Sequence, residues 1–126
     1  MQGISIVVPI YNEEGNVREL HREIVEVCER ERYTYEVIFI DDGSEDGTGR
    51  ICKELAPLKY IRMRKNFGQT AAMDAGIKAA QYDYIVTMDG DLQNDPEDIP
   101  RLVQYLEEKD LDIVSGWRKH RKDSPM

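Results

Sequence analysis

ISIVVPIYNEEGNVRELHREIVEVCERER, residues 4–32, is the stretch that decides the fold class. Its first seven positions, Ile4–Ile10, form a nearly continuous apolar run of the kind a strand buried on both faces shows. The polar Tyr11, Asn12, Glu13, Glu14 and Gly15 follow at once, which marks a loop. From Asn16 onward Val17, Leu20, Ile24, Val27 and Cys28 fall at helical spacing between Arg and Glu, and predict an amphipathic helix to about Arg32. On this reading His21 lies on the polar side of that helix.

Working outward, the same unit repeats. Residues 36–40 (EVIFI) read as a second buried strand, and DDGSEDGT at 41–48 is dense in turn formers and N-cap residues before a short helix ending near Leu55. Residues 60–63 form a weaker third strand. GQTAAMDAGIKAA at 68–80 is rich in small residues and predicts a helix packed tightly against a sheet, and 84–88 is the next strand. Asp95 as N-cap with Pro96 in the first helical position opens another helix, whose apolar face is Ile99, Leu102, Val103 and Leu106. Residues 112–115 close the series. Uninterrupted alternation predicts a single α/β domain over residues 1–126, Rossmann-like, with a mostly parallel sheet, helices on both faces and right-handed crossovers.

Composition narrows the function. The 126 residues carry 17 Lys plus Arg against 25 Asp plus Glu, a formal net charge of −8, which argues against a nonspecific grip on nucleic acid. No apolar run approaches the roughly 18 to 20 residues that span a bilayer, and the first ten residues lack the charged start and cleavage site of a signal peptide, so a cytoplasmic chain is expected. Cys28 and Cys52 sit in helix-like patterns away from any CxxC pair, as reduced structural thiols do. One locally basic run, Arg118, Lys119, His120, Arg121 and Lys122, reads either as a solvated chain end or as a phosphate or anionic-surface contact.

In a parallel α/β sheet, ligands bind outside the carboxyl ends of the strands. Tyr11 and Glu13 follow the first strand, Asp41 and Asp42 the second, and Asp89, Asp91 and Gln93 the fourth. Five acids on one rim repel one another unless something cationic neutralises them, and a divalent metal is the simplest answer. In an extended backbone Asp89, Asp91 and Gln93 alternate and so face one way, offering hard oxygen donors suited to Mg²⁺ or Mn²⁺. Gly90 between them lets the backbone come close to a ligand. The alternative is that these acids cap the helix that begins near Pro96. GxGxxG and GxxxxGK[ST] are both absent, so neither a dinucleotide cradle nor a P-loop is supported. Tyr11 is either a base-stacking ring or a core tyrosine, and Asp41 or Asp42 either accepts from a base or ribose or makes the turn.

Five segments in this order resemble family 2 glycosyltransferases: VVPIYNEEGNV at 7–17, DDGSEDGT at 41–48, RKNFGQTAAMDAGI at 64–77, MDGDLQNDPEDIP at 88–100 and SGWRKHRKD at 115–123. Within that family they look most like the polyprenyl-phosphate (dolichol-phosphate) hexose synthases. The resemblance implies the GT-A fold, a nucleotide-diphosphate sugar donor, a divalent metal (Mg²⁺ or Mn²⁺) and inversion at the anomeric carbon. Carried onto this chain, it implies a nucleotide site of Pro9, Tyr11, Glu13, Ile40, Asp41, Asp42, Asp89 and Gly90. Asp89, Asp91 and Gln93 would hold the metal, Asp91 and Arg118 would act at the reacting atoms, and Arg118 and Arg121 would meet acceptor or donor phosphate. The implied acceptor is a polyprenyl phosphate at the cytoplasmic membrane face.

Family members continue well past residue 126 with an acceptor-binding half, so this chain is expected to hold the nucleotide-sugar and metal half of the enzyme. An open sheet edge or apolar face would leave such a piece open to homo-oligomer formation. The rival expectations are a saccharide-hydroxyl acceptor, which needs a carboxylate base, and a catalytically silent nucleotide-sugar-binding module. A sugar-1-phosphate nucleotidyltransferase is a weaker rival, since the Gly- and Arg-rich N-terminal loop of that chemistry is missing.

Overall fold

The computed structural model describes residues 3–90 and 95–115. Five strands and four helices alternate: β1 (Ile4–Ile10), α1 (Val17–Arg30), β2 (Tyr35–Asp41), α2 (Thr48–Cys52), β3 (Lys59–Arg62), α3 (Gln69–Ala79), β4 (Tyr84–Thr87), α4 (Ile99–Lys109) and β5 (Ile113–Ser115). Every pairing is parallel and the spatial order is β3-β2-β1-β4-β5. The α/β class, the Rossmann-like parallel sheet and the helices on both faces are as the sequence implied.

Strand alternation sorts the core into two layers. Ile4, Ile6, Val8 and Ile10 of β1, with Val37, Phe39 and Val86, pack under α1, α2 and α4. Val7, Ile38, Ile40 and Ile85 point the other way, toward Ala72 on α3. All seven β1 residues are buried, because β1 is flanked by β2 and β4 and covered above and below. Pro9 is tolerated in this central strand for a geometric reason. In a parallel ladder both backbone groups of a residue face the same neighbour; Ile4 donates toward β2 and Ile10 accepts from Asp42, whereas Val7 accepts from Met88. Pro9 therefore faces the β4 side, and β4 pairs with β1 only as far as Val7.

Three expectations are corrected. His21 is buried, not on the polar surface: its Nε2 lies 2.8 Å from the Pro57 carbonyl oxygen and its ring meets Phe39 edge-on at 6.0 Å. Its position falls on the stripe Val17, His21, Ile24, Cys28, and position outranks residue type on a helix face. The second correction concerns handedness. The chain steps from β1 to β2 to β3 with helices on one face, then returns past β1 to β4 with α3 on the other, three connections of one hand. The step outward from β4 to β5 carries α4 on the α1 face, so its hand is opposite. Packing supplies the reason: Ile99, Leu102, Val103 and Leu106 complete the core beside α1, and Arg30 pairs with Glu97 at 2.8 Å.

Third, the Asp95 cap forms as expected, accepting from the Glu97 N–H at 3.0 Å, but the turn it opens, Pro96–Asp98, is 3₁₀ before α4 begins. Cys28 and Cys52 are free and buried. No helix among the described residues is long and apolar enough to cross a membrane.

Candidate functional site at the carboxyl edge of the sheet

The sheet order places a switch point at β1, from which the chain runs to β2 on one side and to β4 on the other. The loops leaving β1 and β2 are laced into one ledge there. Asn12, at φ +52°, donates its N–H to Ser44 Oγ at 2.8 Å and accepts from the Glu45 N–H at 2.9 Å. Glu13 donates its N–H to Thr48 Oγ1 at 2.8 Å, and the Gly47 N–H donates to Glu14 at 2.6 Å. These bonds use up loop donors and acceptors that would otherwise need water, and they hold the ledge rigid. Tyr11 stands on it 40% exposed, which rules out a core role for its ring.

Asp41 and Asp42 point into the protein. Asp41 is fully buried; its Oδ1 accepts from the Ser44 N–H at 2.8 Å, and its Oδ2 from the Tyr60 hydroxyl at 2.6 Å and the Arg62 guanidinium at 3.2 Å. Arg62 also donates to the Ser44 carbonyl at 2.9 Å. Burial, and then donation to Asp41, push the Tyr60 hydroxyl up to about 12. Asp42 is only 4% exposed and receives the Phe67 N–H at 2.8 Å on Oδ1 and the Gly68 N–H at 2.9 Å on Oδ2. The expectation that five crowded carboxylates demand a cation is therefore corrected for these two. The fold itself answers their burial, with the Arg62 guanidinium beside Asp41 and with hydrogen bonds from two backbone amides to Asp42. Gly43, at φ +79°, is what allows the close approach, since a Cβ there would stand 2.6 Å from the Lys65 carbonyl carbon.

Pro9 and Ile40 are buried partners in the β1–β2 register and expose no side chain, Ile40 packing in the layer beneath α3. Glu13 accepts from Asn16 Nδ2 at 2.8 Å at the start of α1. Asp89, half-buried, leaves the end of β4 and accepts from Gln69 Nε2 at 3.1 Å. Gly90 is glycine because β4's exit crosses β1: a Cβ would stand 2.6 Å from Ile10 Cγ2 and 2.8 Å from the Pro9 carbonyl oxygen. The close approach expected toward a ligand is thus made to β1.

Asp91, Gln93, Arg118 and Arg121 lie outside the described residues. Among the described residues, no group of three or more His, Cys, Asp or Glu side chains is placed to hold a metal. Asp89 alone, a hard oxygen donor, represents the expected set there, and its chemistry suits Mg²⁺ or Mn²⁺. Sequence reading gives Ser44 and Thr48 only a turn and cap role, Gly68 and Gln69 only a place in a helix, and Phe67 no role of its own. Phe67, Gly68 and Gln69 fall in the segment 64–77 that carries part of the resemblance, and Gly68 adopts φ +106° just ahead of α3.

Comparison with known proteins supplies the remaining findings. The family model for glycosyl transferase family 2 matches residues 5–125. Dodecaprenyl-phosphate galacturonate synthase of Rhizobium johnstonii is 46% identical over 125 residues, 95% of this chain and 37% of that protein. Undecaprenyl-phosphate 4-deoxy-4-formamido-L-arabinose transferase of Pseudomonas fluorescens is 41% identical over 128 residues, 98% of this chain and again 37% of the relative. The chain thus spans little more than a third of the relatives it matches.

Among solved structures, mannosyltransferase PcManGT from Pyrobaculum calidifontis, in complex with GDP-Man and Mn²⁺, shares the fold with a TM-score of 0.69 at 24% identity, over 83% of this chain and 32% of that one. Glucosyl-3-phosphoglycerate synthase from Mycobacterium tuberculosis, in complex with Mn²⁺, UDP and glucosyl-3-phosphoglycerate, gives the same TM-score and identity over 83% of this chain and 39% of that one.

Proposed function

The chain belongs to glycosyl transferase family 2, and from that premise we propose that it is the nucleotide-sugar and metal-binding half of an inverting glycosyltransferase. The reaction proposed for the whole enzyme transfers a glycosyl unit from a nucleotide-diphosphate sugar to a polyprenyl phosphate at the cytoplasmic face of a membrane. One observation carries this reading. Tyr11, Asp42 and Asp89 follow the carboxyl ends of β1, β2 and β4, three neighbouring strands, in a chain 46% identical to dodecaprenyl-phosphate galacturonate synthase. The names of the two relatives carry galacturonate and 4-deoxy-4-formamido-L-arabinose, which supports a transferred sugar of broader class than a simple hexose.

In this proposal the exposed ring of Tyr11 stacks on the base, and Glu13 and the 41–48 loop meet the nucleoside. Asp89, with Asp91 and Gln93, would hold Mg²⁺ or Mn²⁺. When bound, such an ion supplies Lewis-acid stabilisation of the charge on the nucleotide diphosphate leaving group. Arg118 and Arg121 would meet phosphate oxygens, where a planar guanidinium has bidentate reach. A phosphate acceptor is already anionic near neutral pH, so the chemistry asks for no dedicated base.

Isothermal titration with UDP- and GDP-sugars in the presence of Mn²⁺ tests the reading. Binding of one donor class, weakened on adding EDTA and weakened in Asp91→Ala, is expected. No heat with either donor, with or without metal, overturns it. Because the chain spans 37% of its relatives' length, binding without turnover is the expected behaviour of this piece alone.

A further inference from the structure

We infer that Gln69 is a positioning residue for Asp89, fixing the direction in which that carboxylate meets a divalent cation. The inference rests on the proposed role of Asp89 as a metal ligand and adds a residue to which the sequence pattern assigns no part of its own.

Gln69 is the first residue of α3, and its backbone is held from two sides. Ahead of it, the Phe67 and Gly68 amides are clamped on the two oxygens of Asp42 at 2.8 and 2.9 Å. Behind it, Ala72 and Gly76 are buried against Val7 and Ile40 of the sheet. From that fixed point the side-chain amide spans to β4's exit and donates Nε2–H to Asp89 Oδ1 at 3.1 Å. Asp89 has already left the β4 ladder, which ends at Thr87, so its carboxylate depends on side-chain contacts for its direction.

The chemistry of the donor matters as much as its reach. A neutral amide turns a carboxylate without cancelling its charge, whereas Lys or Arg at the same place would orient Asp89 and repel the cation it is meant to receive. Partners that orient metal-binding carboxylates typically change metal affinity by 10- to 100-fold when removed. Gln69 is exposed, so solvent competes for the same bond in the folded chain and little stability depends on it. The effect belongs to cation binding.

Gln69→Met keeps the length and removes the donor; Gln69→Asn keeps the donor and shortens the reach. Three quantities are read for each and for the unsubstituted chain: Mn²⁺ affinity at saturating UDP or GDP by electron paramagnetic resonance, metal-free nucleotide affinity by calorimetry, and the thermal midpoint. Both variants are expected to bind Mn²⁺ about tenfold more weakly, with nucleotide affinity and midpoint unchanged. Mn²⁺ affinity equal to the unsubstituted chain's in Gln69→Met overturns the inference. So does an equal loss of metal-free nucleotide binding, which would mark a general loosening of α3. If the unsubstituted chain itself shows no Mn²⁺ response, the metal reading of Asp89 fails first and takes this inference with it, an outcome the control separates from the other two.

Discussion

Asp42 and Asp41 are adjacent acids with different solutions to burial. Asp42 accepts one backbone amide on each oxygen, and Asp41 accepts from a tyrosine hydroxyl and a guanidinium. Replacing Asp42 by Asn turns one acceptor into a donor aimed at an amide N–H, and a lost hydrogen bond to a charged group costs about 1.5–3 kcal/mol. Asp42→Asn should therefore lower the urea-unfolding free energy by about 2 kcal/mol. Tyr11→Ala should behave in the opposite way: unfolding free energy within about 0.5 kcal/mol of the parent, but nucleotide affinity about tenfold weaker in a calorimetric titration, as expected when an aromatic platform under a base is removed. Sequence made both residues legible as site candidates. It showed the charges of Asp41 and Asp42 but not their donors, because Tyr60, Arg62, Phe67 and Gly68 lie 19 to 26 positions along the chain.

At the scale of elements, α3 was readable from its small residues alone. A Cβ on Gly76 would overlap Ile40 Cδ1 and Val7 Cγ1, so the helix lies on the sheet at a separation only glycine permits there. Gly76→Val should cost at least about 1–3 kcal/mol, since overpacking must displace side chains in the sheet layer, and the same urea titration checks it. The apolar face of α4 was equally legible, yet its location beside α1 was not. A helical stripe says which side is buried but not which neighbour buries it, and the hand of the last crossover follows from that choice. His21 illustrates the complementary limit, a polar residue type standing on an apolar stripe and satisfied by the Pro57 carbonyl.

For the whole molecule, the two-layer core sets a chemical boundary. Burial, with Glu29 adding a smaller effect, pushes the Cys28 thiol up to about 12, and burial, with Asp41 adding, does the same for Cys52. Both thiols should stay unlabelled by iodoacetamide at pH 8 in the native chain and react once it is unfolded in urea, as mass spectrometry would show. The linkage has a definite sign. Each folded value lies above the ordinary 9.0, so between about 9 and about 12 the unfolded state binds fewer protons than the folded one. Stability should be fully present below pH 9 and fall as pH rises toward 12, which denaturant midpoints measured across that range will show.

The central place of β1 has a final consequence for biogenesis. During translation β1 emerges before the strands that flank it, and β2 and β3 can zip onto one side while α3 is still being made. The other flank waits until residues 84–87 emerge, so a nascent chain whose emerged part ends near residue 62 carries β1, apolar at every position but Ser5, as an open edge. Arrested chains of that length are where trigger-factor-like holdases should bind most strongly.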